Sequence, residues 1–250
     1  MTTHLYCVMP QARRAAIPPG LSGLAGARVR ALPVHGLVAW VSDVERNVPS
    51  SIVEGVRAHD AVVEAALETG STPVPARFGQ RFQDDAACRA ALANRAGPVE
   101  SLLADMQGLV EMTLIIAPST RRMVRELEPV LPDMVDPGSE GVGRRYLETL
   151  RRREATTAAI KRAMDELAEA LGDAVADLAR RSSVHDTITP LPLRTISHLI
   201  SRDDVANYES AVETVRTGGE FRFLVVGPRA PYSFSALSDS GGRHGMNLAD

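Results

Sequence analysis

The stretch Arg28-Val29-Arg30-Ala31-Leu32-Pro33-Val34-His35-Gly36-Leu37-Val38-Ala39-Trp40-Val41-Ser42-Asp43-Val44 decides the fold class. Arg28–Val34 sets Arg28 and Arg30 against Val29 and Leu32 in imperfect alternation. Leu37–Val44 is β-branched and apolar. Two extended runs separated by His35-Gly36 predict an antiparallel hairpin. The alternative for a mixed chain is a parallel α/β sheet, and an early hairpin argues against it.

Working outward, Leu5–Met9 is a third short strand, stopped by Pro10. A helix follows the hairpin. Ser51 and Glu54 form a possible capping box. Ile52, Val56, His59, Val63, Ala66 and Leu67 keep helical spacing, and Gly70 is placed to end the helix. Asp84 can cap a second helix through about Asn94. Gly97-Pro98 breaks the chain, Val99–Met106 is helical, and Val110–Ala117 is a strand. The order β-β-β-α-β-α-α-β favours an α+β sandwich, an antiparallel sheet with helices on one face. The expected topology is ferredoxin-like with an added strand.

Ser119–Leu131 reads as a charged helix, and Pro132–Gly138 as a linker punctuated by two prolines and a glycine. The expected domains are therefore residues 1–131, residues 139–237 and a flexible tail over 238–250. The longest helical stretch runs from about 143 to 181. Leu150, Thr157, Met164, Leu171 and Leu178 recur every seven residues, with Leu147, Ile160, Leu167 and Ala174 beside them. This seam has weak points at Arg153 and Thr157. It suits either an amphipathic core helix or a projecting coiled-coil-like hairpin broken near Gly172. Strands over Val184–Thr189, Thr195–Ser201 and Glu220–Val226 are expected, with a helix over Asp203–Arg216 capped by Asp203 and stopped at Gly218-Gly219.

The composition is that of an ordinary globular protein: 250 residues, 44% apolar, net charge −3. Near neutrality gives no global argument for nucleic acid or an anionic membrane. Lys161 is the lone lysine among Arg-rich basic residues. Cys7 and Cys88 do not make a disulfide framework or a metal site, and buried thiols fit a reducing cytoplasm. No secretory leader is expected at Met1-Thr2-Thr3-His4, and no apolar run reaches the ~18–20 residues of a membrane span.

Chemistry is sparse. The six histidines, His4, His35, His59, His185, His198 and His244, show no metal-ligand spacing. His59-Asp60 on a helix has the form of a general base, but a half-buried helix histidine is the plainer reading. Asp84-Asp85 and Asp203-Asp204 each open a helix, where acids complement exposed N–H groups. Arg121-Arg122 and Arg151-Arg152-Arg153 lie near acids and read as solvated faces. Gly20-Leu21-Ser22-Gly23-Leu24-Ala25-Gly26 lacks the Lys-Ser/Thr pair of a phosphate loop and reads as a surface loop. No catalytic residues, metal or cofactor are expected.

Two phrases carry a resemblance. Val74-Pro75-Ala76-Arg77-Phe78-Gly79-Gln80-Arg81-Phe82 is similar to the (V/L)P-x-RFG-x-x-F phrase of the gas vesicle protein F/L family. Gly227-Pro228-Arg229-Ala230-Pro231-Tyr232-Ser233-Phe234 is similar to its GPWPPYSF phrase, with Arg229 and Ala230 in place of Trp and Pro. Weaker agreements are Gly36–Ser42, His59, Val110-Glu111 and Gly143-Arg144-Arg145-Tyr146-Leu147. The resemblance implies a modified ferredoxin-like N-terminal domain and a C-terminal α+β domain with a coiled-coil-like helical part. It implies a non-enzymatic minor component of gas vesicles in the cytoplasm. Such a protein binds the small hydrophobic shell protein, with other gas vesicle accessory proteins as further partners. Candidate partner-binding or structural residues are Arg77, Phe78, Gly79, Phe82, Pro231, Tyr232, Ser233 and Phe234. The alternative is a soluble enzyme or small-anion binder using the Arg77 region.

Overall fold

The computed structural model describes residues 1–11, 16–45, 51–119, 142–187, 192–215 and 221–235. The expected helix beyond Ser119, the linker at Pro132–Gly138, the Gly218-Gly219 stop and the 238–250 tail lie outside them. The fold is a mixed α/β arrangement with two antiparallel sheets and five described helices. The chain divides into two compact units. The first comprises Met1–Met112, Leu199–Asp203 and the chain from Gly227. The second comprises Thr113–His198 and Asp204–Val226.

In the first unit, β1 (Thr2–Pro10) lies between β3 (Leu37–Val44) and the short strands β4 (Val74–Pro75) and β5 (Arg81–Phe82), and β2 (Arg30–Val34) borders β3. The β2–β3 hairpin turns with Val34 opposite Leu37. His35 (φ 38°) and Gly36 (φ 77°) are both left-handed, the pair of positive angles a two-residue type I′ turn requires.

β1 carries a bulge. Leu5 faces Val41 and Cys7 faces Trp40, leaving Tyr6 as the extra residue. His4, Tyr6, Cys7 and Met9 therefore serve one face of the sheet, and Leu5 and Val8 the other.

Helices cover both faces, where one was expected. α1 (Ile52–Glu68) packs Val62, Val63 and Ala66 against Tyr6, Cys7, Met9, Val38 and Trp40. α2 (Asp85–Asn94) and α3 (Ala96–Met106) pack Cys88, Leu92, Val99 and Leu103 against Leu5, Val8, Ala39 and Val41. The cause is legible in the strands. Leu5–Met9 and Leu37–Val41 are continuous apolar runs and have no polar row to present to water.

Local signals set the helix ends. Ser51 Oγ accepts from Glu54 N (3.4 Å), and Asp84 Oδ1 accepts from Ala87 N (2.8 Å). Gly70 follows α1 at φ 86°. Gly97 and Pro98 do not break the chain. They sit in the first turn of α3, where proline's missing N–H costs nothing.

The second unit contains most of β6 (Leu109–Pro118), the long α4 (Val142–Ala174), β7 (Ala179–Thr187), most of β8 (Leu193–Ser201), α5 (Val205–Thr214) and most of β9 (Phe221–Arg229). The sheet order is β7-β8-β6-β9. α4 stops at Ala174 instead of Arg181, and Ala179–Arg181 are already strand. Gly172-Asp173, poor helix formers, precede the stop. α5 begins at Val205 after a 3-10 turn over Arg202–Asp204, so Asp203 is not its cap.

The α4 seam is buried only toward its C-terminal end. Ile160, Met164 and Leu171 are buried, Thr157 is exposed, and Leu147 is 54% exposed. The helix packs on α5. Arg194 of β8 ties the unit together. It donates in bidentate fashion to Asp186 of β7 (2.8 and 2.9 Å), and its Nη1 donates to Asp165 of α4. On α5, Tyr208 is buried and shares a 2.8 Å hydrogen bond with His198 Nδ1.

Leu171 is fully buried, so Leu171→Ala should lower stability by ~2–5 kcal/mol. Thr157→Leu, at an exposed position, should shift it by no more than about 0.5 kcal/mol. Urea denaturation of both variants checks the pair. An unchanged midpoint for Leu171→Ala would contradict the packing.

Candidate functional site

Both phrases converge on the His59-Asp60 pair of α1, within the first unit. The first phrase runs antiparallel along β1, with Cys7 opposite Pro75 and His4 opposite Arg81. Ala76 N donates to Tyr6 O (2.8 Å), and Leu5 N donates to Gln80 O (3.1 Å). Between these anchors Arg77, Phe78 and Gly79 form a turn. Gly79 is at φ 89°, a conformation that favours glycine. The turn aims Phe78 at α1. Its ring stands edge-on to His59 with centroids 5.8 Å apart. A Cβ on Gly55 would lie 2.9 Å from Phe78 Cζ, so the glycine in the helix makes room for the ring.

His59 is fully buried. Its Nε2 is 3.1 Å from Ala76 O, and a carbonyl only accepts, so Nε2 carries the proton. Nδ1 of the neutral ring is then an acceptor, and His4 Nε2, 3.0 Å away, donates to it. His4 Nδ1 is left bare, with no hydrogen-bond partner among the described residues. Burial first, then His59 and Arg81, pushes the His4 pKa down to about 3. Burial also lowers that of His59, opposed by its bond to Ala76 and by the Asp60 charge. Both imidazoles are therefore neutral at ordinary pH.

Tyr6 completes the group. Its ring lies 4.7 Å from His4, and its hydroxyl accepts from Leu24 N (2.8 Å). A Cβ on Gly23 would fall 1.9 Å from that hydroxyl. This is the physical reason for a glycine at that point of the Gly20–Gly26 loop.

The second phrase reaches the same helix from the other side of the pair. Tyr232 Oη donates to Asp60 Oδ1 (2.9 Å), and Arg229 Nη2 donates to Asp60 Oδ2 (3.1 Å). Glu64, one turn on, lies 3.6 Å from Arg229 Nε. Burial and the Asp60 carboxylate raise the Tyr232 pKa, so the phenol keeps its proton. The guanidinium that replaces the family's indole thus meets two acids and stays partly in water, with its side chain 36% exposed.

Glu111 of β6 grips the next residue. Its Oε2 accepts from Ser233 N (2.8 Å) and its Oε1 from Ser233 Oγ (2.7 Å). Gly227, at φ 142°, passes so close to β6 that a Cβ would lie 2.7 Å from Met112 Sδ and 2.8 Å from Glu111 O.

The eight residues singled out by sequence do not form one patch. Phe78 and Tyr232 meet at His59. Phe82 and Phe234 pack on the opposite face of the sheet, in the core with α2 and α3. Arg77 and Gly79 shape the turn, Pro231 is buried, and Ser233 binds Glu111. The sequence missed His4, Tyr6, Asp60 and Glu111 as partners of the phrases. The alternation of His4 and Tyr6 on one strand was the available signal. Chemically, the arrangement is a dry hub of hydrogen bonds and rings flanked by two carboxylate clamps.

Comparison with known proteins gives a consistent result. The family described as "Gas vesicle synthesis protein GvpL/GvpF" matches residues 2–236. Gas vesicle protein F of Haloferax mediterranei is 24% identical over 219 residues, covering 86% of this chain and 85% of that one. The crystal structure of gas vesicle protein GvpF from an Anabaena strain superposes with a TM-score of 0.72 at 19% identity. It covers 97% of this chain and 99% of that one. The GvpF structure from Microcystis aeruginosa gives a TM-score of 0.70 at 19% identity, with 94% and 99% coverage. At these identities the structural likeness speaks for the fold.

The histidine hub predicts acid sensitivity with a defined sign. His4 and His59 have folded-state pKa values below the unfolded 6.5, so the unfolded chain binds protons first as pH falls. Stability should be level above about pH 6.5 and decline from there toward pH 3. His4→Asn should be less stable at neutral pH and show a shallower decline. Urea midpoints measured between pH 8 and pH 4 check this, and equal slopes for both proteins would refute it.

Proposed function

This chain belongs to the gas vesicle synthesis protein GvpL/GvpF family, and on that premise we propose a non-enzymatic role in gas vesicle assembly. In this reading it binds the small apolar shell protein before assembly and limits its aggregation. Other gas vesicle accessory proteins are further partners, and the cytoplasm and the vesicle are its places of action. An apolar shell subunit with open strand edges is prone to aggregate while free. A partner that shields it needs apolar surface or a free sheet edge, and no reacting groups. Among the described residues no helix is long and apolar enough to cross a membrane.

The observation that carries the reading is that three strands of the second sheet expose aliphatic side chains, whereas the other exposed aliphatics, Ile52 (77%), Val53 (59%) and Leu147 (54%), lie on helices α1 and α4. β7, β8 and β9 of the second sheet each place one in water: Val184 at 60%, Leu193 at 36% and Leu224 at 60%. β1 and β3 of the first sheet, by contrast, bury apolar residues on both faces. We take the second sheet as the surface that meets the shell protein. The same reading treats the first unit as a modified ferredoxin-like sandwich and α4 as a coiled-coil-like limb. The run of strands and helices and the long amphipathic stripe of α4 support it.

The test is co-sedimentation and light scattering of freshly solubilised shell protein with and without this chain, at low and high salt. Apolar binding should persist at high salt, where exposed charge pairs are screened. Leu224→Ser combined with Val184→Ser should reduce capture while the circular dichroism stays unchanged. No capture at either salt would overturn the assembly role. Capture that vanishes at high salt would overturn the apolar mechanism.

A further inference from the structure

We propose that β7 pairs with β7 of a second copy of this chain, forming a two-fold dimer through a continuous antiparallel sheet. The inference rests on the strand's position, length and charge pattern, and of the residues assigned above to shell-protein binding it involves only Val184.

β7 ends the second sheet, with β8 on one side and no further strand among the described residues on the other. It is nine residues long, Ala179–Thr187, against a usual ~5–6. The other sheet ends are protected differently. β2 is short and contains Pro33, β4 and β5 are two residues each with Pro75 in β4, and β9 contains Pro228; a proline ring nitrogen offers no donor. A long proline-free edge is a template for another strand.

The register follows from symmetry. A two-fold axis perpendicular to the sheet makes the strands antiparallel and keeps each face on its own side. Residues that meet across the axis must then share parity, because side chains alternate. Full overlap of Ala179–Thr187 with itself puts the axis at Ser183. Arg180 then lies directly opposite the second copy's Asp186, twice over by symmetry. Arg180 and Asp186 are six residues apart and belong to the same face. Full overlap and charge complementarity thus select one register.

The structure prepares that pairing. Asp186 is held by the bidentate Arg194 contact, which fixes its carboxylate while leaving the side chain 41% exposed. Arg194 also holds the Asp186 pKa low, so the carboxylate is charged when the strands meet. Arg180 is exposed at the other end of the strand. Ser182 and Val184 face each other between the two charge pairs, and Ser183 sits on the axis. A charged edge ordinarily resists pairing with a neighbour of like charge. Here Arg180 and Asp186 complement the reversed copy on one face, while Arg181 falls opposite His185 on the other face. Edge pairing leaves the faces of the sheet, where Leu224 projects, uncovered.

Sedimentation velocity of the full chain should show the mass doubling as concentration rises. Arg180→Glu sets four acids together at the two pair positions and should weaken association roughly tenfold at low salt, less at high salt. Across an antiparallel pair, opposite Cα atoms lie roughly 4.5–5.5 Å apart, within the range a disulfide spans. Ser183→Cys should therefore form a covalent dimer rapidly under mild oxidation. Ser182→Cys, which faces Val184 and not itself, should do so much more slowly. Cys7 and Cys88 are buried and do not compete. A chain that stays monomeric at all concentrations overturns the proposal, as do equal cross-linking rates for the two variants. Association unchanged by Arg180→Glu overturns it too. Protection of β7 amides from hydrogen exchange only when shell protein is added would give the edge to that partner and overturn self-pairing.

Discussion

One hydrogen bond, from His59 Nε2–H to Ala76 O, orders the first unit. It assigns the tautomer of His59, which makes Nδ1 an acceptor, which in turn allows His4 to donate. Two polar rings are thereby matched to each other inside a dry layer. Had either ring carried a charge, that face of the sheet would need water or an acid beside it. Because neither does, α1 can close on β1 and the sheet can be covered on both sides. The same bond fastens the first phrase to the helix at its backbone. The carbonyl is used, so what matters at Ala76 is the path of the chain, and Pro73 and Pro75 just before it set that path.

Much of this was legible in the residues. The His35-Gly36 turn, the Ser51 and Asp84 caps, the Gly70 stop and the strands at Leu5–Met9, Leu37–Val44 and Val110–Ala117 all rest on neighbours a few positions away. Local chemistry states such features directly. The features that were misread depend on distance along the chain. Coverage of both faces is implied by the unbroken apolar runs of β1 and β3, but helix order alone does not say which face each helix takes. The bulge at Tyr6 has no local marker. The Asp60–Arg229 and Glu111–Ser233 clamps join residues more than a hundred positions apart, and single-sequence patterns carry no such pairing. The end of α4 was misplaced because apolar spacing continues past Gly172-Asp173, while the backbone there has already turned.

Arg229 shows how a departure from a family phrase is absorbed. An indole at that position would contribute apolar area. A guanidinium instead needs anions and some water, and Asp60, Glu64 and partial exposure supply both. Asp60 also accepts the Tyr232 phenol, so one carboxylate joins two positions of the phrase to α1. Exposed ion pairs of this sort stabilise little individually. What they add here is direction, since they set where the chain lies between the cis Gly227–Pro228 peptide and the buried Phe234.

The placement of that last segment has a consequence for how the molecule is made. Ala230 and Phe234 are core residues of the first unit, on opposite faces of its sheet, and Tyr232 packs beside Ala230. A ribosome reaches them long after it has finished Met112. The emerging N-terminal half therefore waits with its two packed layers incomplete, one lacking Ala230 and the other Phe234. Translation passes through the whole second unit before supplying the missing pieces. The first unit begins to be synthesised first and receives its last core residues only after the second unit has been made, so a nascent chain stalled before Gly227 leaves apolar surface open to any holding factor that scans for it.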